Sequence, residues 1–358
     1  MKTPRTWLAS VGAHVPPTMS AREAVDLGLY GEDSLAWYGW TGAAVAGEIP
    51  APDLAVRAAR QALDRLAGPS PELVLHLHAA AYAQGPLGWP AQHYILSQLG
   101  DHRAPSIAVW QSCNGAIAAL ELAAGRLTGA PGKAAVLITG SDNVGVPGFN
   151  RWSLGLQYGV IGDAGSALLL STEPGFARLL AIGSASVAEA ERAYRGSAPI
   201  FPPNSGSSDN VGADTGRAPA TPAGLRARMA DRDATGVEEG ASLLARLSEL
   251  RTETALRTLA EADLHPGDIT RVVHNFTGHE QLLKSVLAPI GIDVGRGMLD
   301  YGRRVGHLTV NDQTVGLDHL VTGGHVRPGD HVMLLGFAGG VTTACAILRI
   351  EQTPHWRT

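Results

Sequence analysis

The sequence contains little cysteine, little charge and no long apolar run. Cys113 and Cys345 are the only cysteines. They are too few for a disulfide framework and are not spaced like zinc ligands, so we expect no bound metal. Charged residues make up 17% of the chain and the formal net charge is -5, so no basic field is present to bind nucleic acid or an anionic membrane. Small molecules and acidic carrier proteins remain as candidate partners.

The hydropathy pattern is typical of a globular protein. No apolar run approaches the roughly 20 residues that span a bilayer. Residues 1–17 are too polar and too often interrupted by proline to form a secretory signal, and we therefore expect a cytoplasmic protein. Hydrophobic residues make up 45% of the chain, which is enough for one large or two ordinary domains, each with a sizeable core.

Apolar strands and amphipathic helices alternate along the chain, which predicts an α/β fold. In the first half, the pattern predicts helices at 53–67, 90–99 and 113–127 and strands at 72–77, 105–110, 133–141 and 165–171. In the second half, it predicts helices at 241–263, 279–289 and 310–322 and strands at 270–274, 330–337 and 342–350.

The two halves end alike, because a glycine-rich turn enters an apolar strand at 162–171 and again at 339–350. An internal duplication explains this repeat, and we predict an N-terminal half at 1–175 and a C-terminal half at 176–358. The helices after Cys113 and at 315–321 have almost no polar face, so they should lie buried between two sheets. An irregular insert near 195–230, rich in Gly, Pro and Ser, is typical of a lid or a substrate-binding excursion.

Cys113 is the strongest candidate for chemistry. It lies where the strand IAVW gives way to a nearly apolar helix. The amides at a helix N-terminus carry partial positive charge and stabilise a thiolate, which is the attacking form of cysteine. The alternative is a buried, inert thiol, and this is how we interpret Cys345.

The segment around Cys113 resembles the active-site segment of the β-ketoacyl-ACP synthase III branch of the thiolase superfamily. Three further stretches match in the family's order, at 158–172, 271–278 and 334–349. The resemblance implies a thiolase fold, a five-layered αβαβα sandwich built from two duplicated halves, and a homodimer. It also implies that His274 acts as base or hydrogen-bond donor, and that the backbone N–H groups of Cys113 and Gly339 form an oxyanion hole.

One position departs from the family pattern. Condensing members carry an asparagine in a Gly-Asn-Thr-Ser motif, and His307 occupies that position here. We expect Asp312 to orient His274, because a carboxylate beside an imidazole stabilises its protonated form, which gives a triad of Cys113, His274 and Asp312. Whether His307 is structural or acts in the asparagine's place stays open. An alignment shift onto Asn311 would restore an amide and favour condensation.

Further residues are expected to bind substrate. Asn275 follows the candidate histidine, Trp152 is a candidate wall of a channel for the carrier arm, and Arg151 is a candidate contact for a pantetheine phosphate. No cofactor is expected apart from the phosphopantetheine of the donor, which is an acyl carrier protein or CoA.

With this departure the chain resembles the ketosynthase-III-like acyltransferases of antibiotic biosynthesis. That resemblance implies acyl transfer, without formation of a carbon–carbon bond, in secondary-metabolite biosynthesis. Cys113 accepts an acyl group from the donor thioester and passes it to a hydroxyl acceptor by a ping-pong route. One alternative is a decarboxylating synthase that forms a carbon–carbon bond. Another is a non-catalytic ketosynthase-like partner subunit.

Overall fold

A computed structural model of the chain describes residues 1–3, 5–66, 68, 71–86, 88–100, 103–130, 132–146, 149–152, 159–191, 237–338 and 341–357. The irregular insert predicted near 195–230 and the candidate oxyanion-hole residue Gly339 lie outside these described residues.

The N-terminal half combines a five-stranded part of the main sheet with a small two-stranded sheet and five helices. Its strands are β1 (Trp7–His14), β2 (Thr18–Ser20), β3 (Gly42–Ala44), β4 (Leu73–Ala79), β5 (Ser106–Val109), β6 (Ala135–Asp142) and β7 (Ala164–Ser171). Its helices are α1 (Ala21–Asp26), α2 (Glu32–Tyr38), α3 (Ala51–Asp64), α4 (Ala91–Leu99) and α5 (Gly115–Thr128).

The C-terminal half supplies the rest of the main sheet and four helices among the described residues. Its strands are β8 (Ala177–Ser186), β9 (Ile269–Val273), β10 (His331–Ala338) and β11 (Thr342–Ile350). Its helices are α6 (Val237–Glu261), α7 (Glu280–Leu287), α8 (Leu299–Val305) and α9 (Asp312–Thr322).

The strand pairing repeats between the halves. The described strands form a sheet in the order β5-β4-β6-β7-β1-β8-β11-β10-β9. In the first half β4 and β6 are parallel, and β6, β7 and β1 then alternate in direction; β9, β10, β11 and β8 follow the same sequence of directions. The halves join through the pairs Trp7↔Arg178 and Leu8↔Ala177. The boundary at 175/176 falls in the turn between β7 and β8, and as a domain division it stays a prediction.

Side-chain alternation along the strands separates two apolar layers on each half-sheet. In β6, Ala135 and Leu137 pack with the alanines of α3, whereas Val136 and Ile138 belong to the central cluster that contains α5 and α9. In the second half, Leu335 packs with α6 residues on the outer face. Helices α5 and α9 contact strands of both half-sheets, so the order of layers is helix, sheet, central helices, sheet, helix.

Close packing of α3 on the sheet depends on glycine. A Cβ added to Gly165 would lie 2.1 Å from the carbonyl oxygen of Leu54, and one added to Gly12 would lie 2.2 Å from that of Ala58. No side chain fits at these distances, which explains the glycine at the start of β7. Within the described residues, no helix is both long and apolar enough to cross a membrane.

Candidate active site

Cys113 lies between the two half-sheets at the start of a central helix. It belongs to a 3-10 turn, Ser112–Asn114, that connects β5 to α5, and its side chain is partly exposed, whereas that of Cys345 is fully buried. Burial raises the pKa of Cys345 to about 12, so its thiol stays protonated and inert. Helix α5 begins two residues after Cys113, so the sulfur lies near the helix end that carries partial positive charge.

An imidazole and a carboxylate follow the sulfur in one hydrogen-bonded chain. The Nε2 atom of His307 lies 3.0 Å from the Sγ atom of Cys113, and the Nδ1 atom of the same ring lies 2.5 Å from Oδ2 of Asp312. Asp312 is fully buried and also accepts hydrogen bonds from the backbone N–H groups of Leu308, at 2.7 Å, and Phe276, at 2.9 Å. These bonds hold the carboxylate in one orientation towards the imidazole.

The charges around His307 favour its protonated form. Burial by itself lowers the pKa of this imidazole, but the charges of Asp312 and Cys113 and the hydrogen bonds to both outweigh burial and raise the pKa to about 10. An imidazolium beside a sulfur stabilises the thiolate. The arrangement is therefore that of an activated nucleophile with a general base, oriented by a buried carboxylate.

His274 does not have the contacts that the sequence predicts for it. Its Nε2 atom accepts a hydrogen bond from the backbone N–H of Met298 at 3.1 Å, and its Nδ1 atom donates to the carbonyl of Asn275 at 2.7 Å. Burial lowers the pKa of this ring, which agrees with a neutral histidine. The expected pairing of Asp312 with His274 is therefore wrong, because Asp312 pairs with His307.

His274 does not contact Asp312 because successive side chains beyond the end of β9 point in different directions. The ring of His274 lies next to Gly297, with a distance of 3.1 Å from its Nε2 atom to a Cβ built there. The next side chain, that of Asn275, points to the end of β10, where its Oδ1 atom accepts from the N–H of Phe337 at 2.9 Å. The amide nitrogen of Asn275 has no partner among the described residues, and the residue is only 3% exposed.

Asn311 does not restore an amide to the sulfur. Its Oδ1 atom accepts from the hydroxyl of Ser166 at 2.7 Å, and its Nδ2 atom donates to the carbonyls of Ala164 and Leu308. The amide is thus used in holding its own turn against β7. The side chain that faces Cys113 from this segment is His307.

Arg151 is committed to a buried ion pair. Its guanidinium donates to both carboxylate oxygens of Asp163, at 3.0 and 2.9 Å, and to the carbonyls of Ala44 and Ile161. The prediction that Arg151 contacts a phosphate is therefore corrected, because these partners hold the head group inside the protein. The carboxylate of Asp163 also accepts from the N–H groups of residues 46 and 144 and so ties three segments together.

Trp152 belongs mainly to a local core. It is 3% exposed, its ring centroid lies 5.4 Å from that of Tyr30, and it shares an apolar cluster with Trp40. The remaining accessible part of Trp152 lines a surface cavity beside Leu29 and Phe149. Its role as a channel wall stays a prediction. No group of His, Cys, Asp or Glu side chains in the part of the chain that the structure describes could hold a metal ion.

Comparisons with known proteins agree with this architecture. Residues 259–350 match the family described as 3-oxoacyl-[acyl-carrier-protein] synthase III C terminal. The solved structure of ChlB3, described as an acyltransferase, is 36% identical and aligns over 99% of this chain and 100% of that chain with a TM-score of 0.87.

A more distant solved structure has the same fold, and another relative matches part of the chain in sequence. The 3-oxoacyl-[acyl-carrier-protein] synthase III of Aquifex aeolicus is 18% identical, aligned over 96% of this chain and 99% of that chain, with a TM-score of 0.73. A β-ketoacyl-[acyl-carrier-protein] synthase III of Desulfitobacterium hafniense is 28% identical over 97 residues, which are 27% of this chain and 29% of that protein. The predicted thiolase fold is confirmed, and the chain belongs to the β-ketoacyl-ACP synthase III-like branch of the thiolase superfamily, a family of enzymes.

Proposed function

We propose that this protein is an acyltransferase that accepts an acyl group from an acyl carrier protein or CoA thioester on Cys113 and transfers it to a hydroxyl acceptor. The observation that carries the proposal is the chain of contacts from Cys113 through His307 to Asp312. A carboxylate bonded to the far side of the imidazole makes that imidazole a base for an alcohol, which a neutral asparagine at the same position would not be.

In the first step the Cys113 thiolate attacks the carbonyl carbon of the donor thioester. The new carbon–sulfur bond forms a tetrahedral oxyanion, which collapses with loss of the pantetheine thiolate. The imidazolium of His307 gives its proton to that leaving sulfur, and the neutral ring remains beside the acyl-cysteine.

In the second step neutral His307 removes the proton from the acceptor hydroxyl while its oxygen attacks the acyl-cysteine carbonyl. Collapse of this second tetrahedral species releases the ester and returns the Cys113 thiolate. Asp312 stabilises the positive charge that forms on the ring in this step. The proton that left the acceptor is then held by His307, so the enzyme returns to its starting state.

Asn275 supports a substrate-binding role in the same site. Its buried amide nitrogen lacks a partner among the described residues, and an unpaired buried donor costs about 1–3 kcal/mol. The residue precedes Phe276, whose N–H binds Asp312. A carbonyl or hydroxyl oxygen of the bound substrate would satisfy this donor.

A decarboxylating synthase is the second candidate. The buried amide of Asn275 favours this candidate, because an amide and an imidazole together stabilise an enolate in condensing relatives. The family name of the matched C-terminal segment also denotes a synthase. Acyl transfer is better supported, because ChlB3, at 36% identity, is described as an acyltransferase and because the carboxylate of Asp312 makes His307 a base. We place the reaction in secondary-metabolite biosynthesis as part of this proposal.

Intact-mass spectrometry tests the proposal. The protein is incubated with an acyl-carrier thioester, and the expected result is one acyl adduct, located on Cys113 by peptide mapping. The Cys345→Ala variant is the matched control and should load fully, whereas Cys113→Ala should not load. Absence of an adduct with carrier and CoA donors of several acyl lengths would favour a non-catalytic partner subunit and contradict the proposal.

The second half of the experiment separates transfer from condensation. Loaded enzyme is mixed with alcohol acceptors, and the ester is identified by mass. Ester formation without loss of CO2 supports acyl transfer. Release of CO2 from a malonyl donor together with a chain-extended product overturns it in favour of the synthase.

A further inference from the structure

We infer that Asp142 and Thr309 are positioning residues that hold the turn between His307 and Asp312 in the geometry that the catalytic chain requires. The inference rests on the proposed role of Cys113, His307 and Asp312. It concerns two residues that lie outside the chain of contacts from Cys113 through His307 to Asp312.

The turn has an uncommon backbone conformation. Thr309 begins the 3-10 turn Thr309–Asn311 and has a φ angle of 57°. A β-branched residue rarely occupies this left-handed region, and such residues persist only where their surroundings hold them. Two residues before it lies His307 and three after it lies Asp312, so the path of the chain through Thr309 sets how these two side chains meet.

Asp142 fixes the turn at Thr309 in place. It ends strand β6, is fully buried, and its carboxylate accepts a hydrogen bond from the hydroxyl of Thr309. The same carboxylate accepts from the backbone N–H groups of Ala81, at 3.1 Å, and Tyr82, at 2.9 Å, and from the amide of Gln84 at 3.4 Å. The two backbone N–H groups and the amide of Gln84 can only donate, so Asp142 acts as an acceptor whose position is fixed on several sides. The hydroxyl of Thr309 also contacts the carbonyl of Leu308 at 2.7 Å.

This contact crosses between the two halves of the protein. Asp142 belongs to the half that carries Cys113, and Thr309 belongs to the half that carries His307 and Asp312. Asn311 makes a second link, to Ser166 of β7, but it anchors the far end of the turn. Loss of the Thr309 hydroxyl would leave the left-handed residue without its anchor, and the turn could then relax and carry His307 away from the sulfur.

The alternative is that Asp142 and Thr309 stabilise the fold without affecting the site. The pH dependence of Cys113 alkylation distinguishes the two roles, because it reports the thiolate and needs neither donor nor acceptor. An unperturbed cysteine with a pKa of about 8.5 is only about 1% thiolate at pH 6.5, whereas a thiolate paired with an imidazolium reacts at that pH.

The experiment compares Thr309→Val, which removes the hydroxyl and keeps the shape, with Thr309→Ser, which keeps the hydroxyl. Both are made in the Cys345→Ala protein and alkylated with iodoacetamide from about pH 5.5 to about pH 10, a range that includes the ordinary pKa of cysteine. At about pH 6.5 Thr309→Val should react at least about tenfold more slowly than the unsubstituted protein, and its rate should recover at high pH. Thr309→Ser should retain the profile of the unsubstituted protein.

Two results overturn the inference. One is a Thr309→Val protein with a lowered melting temperature but an unchanged alkylation profile, which assigns the hydroxyl to stability alone. The other is a folded Asp142→Asn protein with an unchanged profile, since its amide would present N–H groups to the donors that surround it. If the profiles shift as expected but no acyl adduct forms on Cys113, the positioning role stands and the proposed function fails.

Discussion

The imidazole of His307 lies with one nitrogen 3.0 Å from the sulfur of Cys113 and the other 2.5 Å from the carboxylate of Asp312. The ring therefore transmits the effect of a buried negative charge to the nucleophile. Because His274 has its own partners in Met298 and Asn275, the two histidines should respond differently to substitution.

Replacing His307 with glutamine should lower the rate of acyl transfer by about 10²–10⁴-fold, because glutamine cannot remove a proton from the acceptor. The single-turnover rate of ester formation from preloaded enzyme measures this step. His274→Gln is the matched comparison and should change that rate far less. Equal losses in the two variants, with both proteins folded by circular dichroism, would return the role of base to His274.

Replacing Asp312 with asparagine should slow transfer by about 10²–10⁴-fold while loading of Cys113 is reduced less. An amide cannot stabilise the imidazolium that forms when the acceptor is deprotonated. Burst-phase loading and single-turnover transfer separate the two steps. Asp300→Asn, at a side chain that is 98% exposed, is the control, and an Asp312→Asn protein with normal transfer would remove the carboxylate from the mechanism.

The pairing of His307 should also contribute to stability in a defined pH range. The pKa of this residue is raised from 6.5 to about 10 in the folded protein, so its contribution is fully present below about pH 6.5 and is lost as the pH rises through about 10. The difference in unfolding free energy between the unsubstituted protein and His307→Gln should therefore shrink as the pH rises from about 6.5 to about 10. Urea denaturation measures it, and a constant difference would contradict the pairing.

The buried pair His76 and His78 should have the opposite effect. Burial lowers the pKa of these residues from 6.5 to about 3 and about 4, respectively, so their contribution is present above about pH 6.5 and is lost as the pH falls towards those values. The melting temperature should therefore fall less in His78→Gln than in the unsubstituted protein when the pH is lowered from about 7 to about 5. The exposed His355 is the control position, and its substitution should leave the acid sensitivity unchanged.

Strand β5 should form a contact between two copies of the chain. It lies at one edge of the described sheet, and Ile107 and Trp110 beside that edge are 52% and 60% exposed. Unpaired, apolar strand edges favour pairing with another chain. Ile107→Lys should shift the protein from dimer to monomer in sedimentation velocity, whereas Leu122→Lys, at an exposed position on α5, should not.

Local patterns in the sequence predict most helices and strands, together with the position of the candidate nucleophile. The position of Cys113 follows from a strand and an apolar helix that are adjacent in the chain, and α5 begins within two residues of the predicted start. Strands β1 and β8, at the junction of the half-sheets, escape prediction because their apolar residues neither alternate nor form a long run. Helix α8, Leu299–Val305, is too short to show a helical period.

The partner of Asp312 could not be predicted from the sequence. His274 and Asn275 are adjacent, and which of the two side chains points towards β10 depends on how the chain leaves β9. His307 and Asp312 are five positions apart and meet across a turn in which Thr309 takes a left-handed conformation. Such a turn is held by tertiary contacts such as the one to Asp142, and a threonine in the sequence does not by itself indicate a left-handed conformation.

The division of the candidate active site between the two halves has a consequence for the synthesis of the protein on the ribosome. The sulfur belongs to the part of the chain that leaves the ribosome first, and its imidazole lies almost two hundred positions later in the chain. Because domains begin to fold during translation, the early part can form its own strands while its cysteine still lacks a base. Under the proposed mechanism, the thiol becomes fully reactive only after His307 has been synthesised and has folded against it, and we expect the nascent protein to be less prone to premature acylation and oxidation.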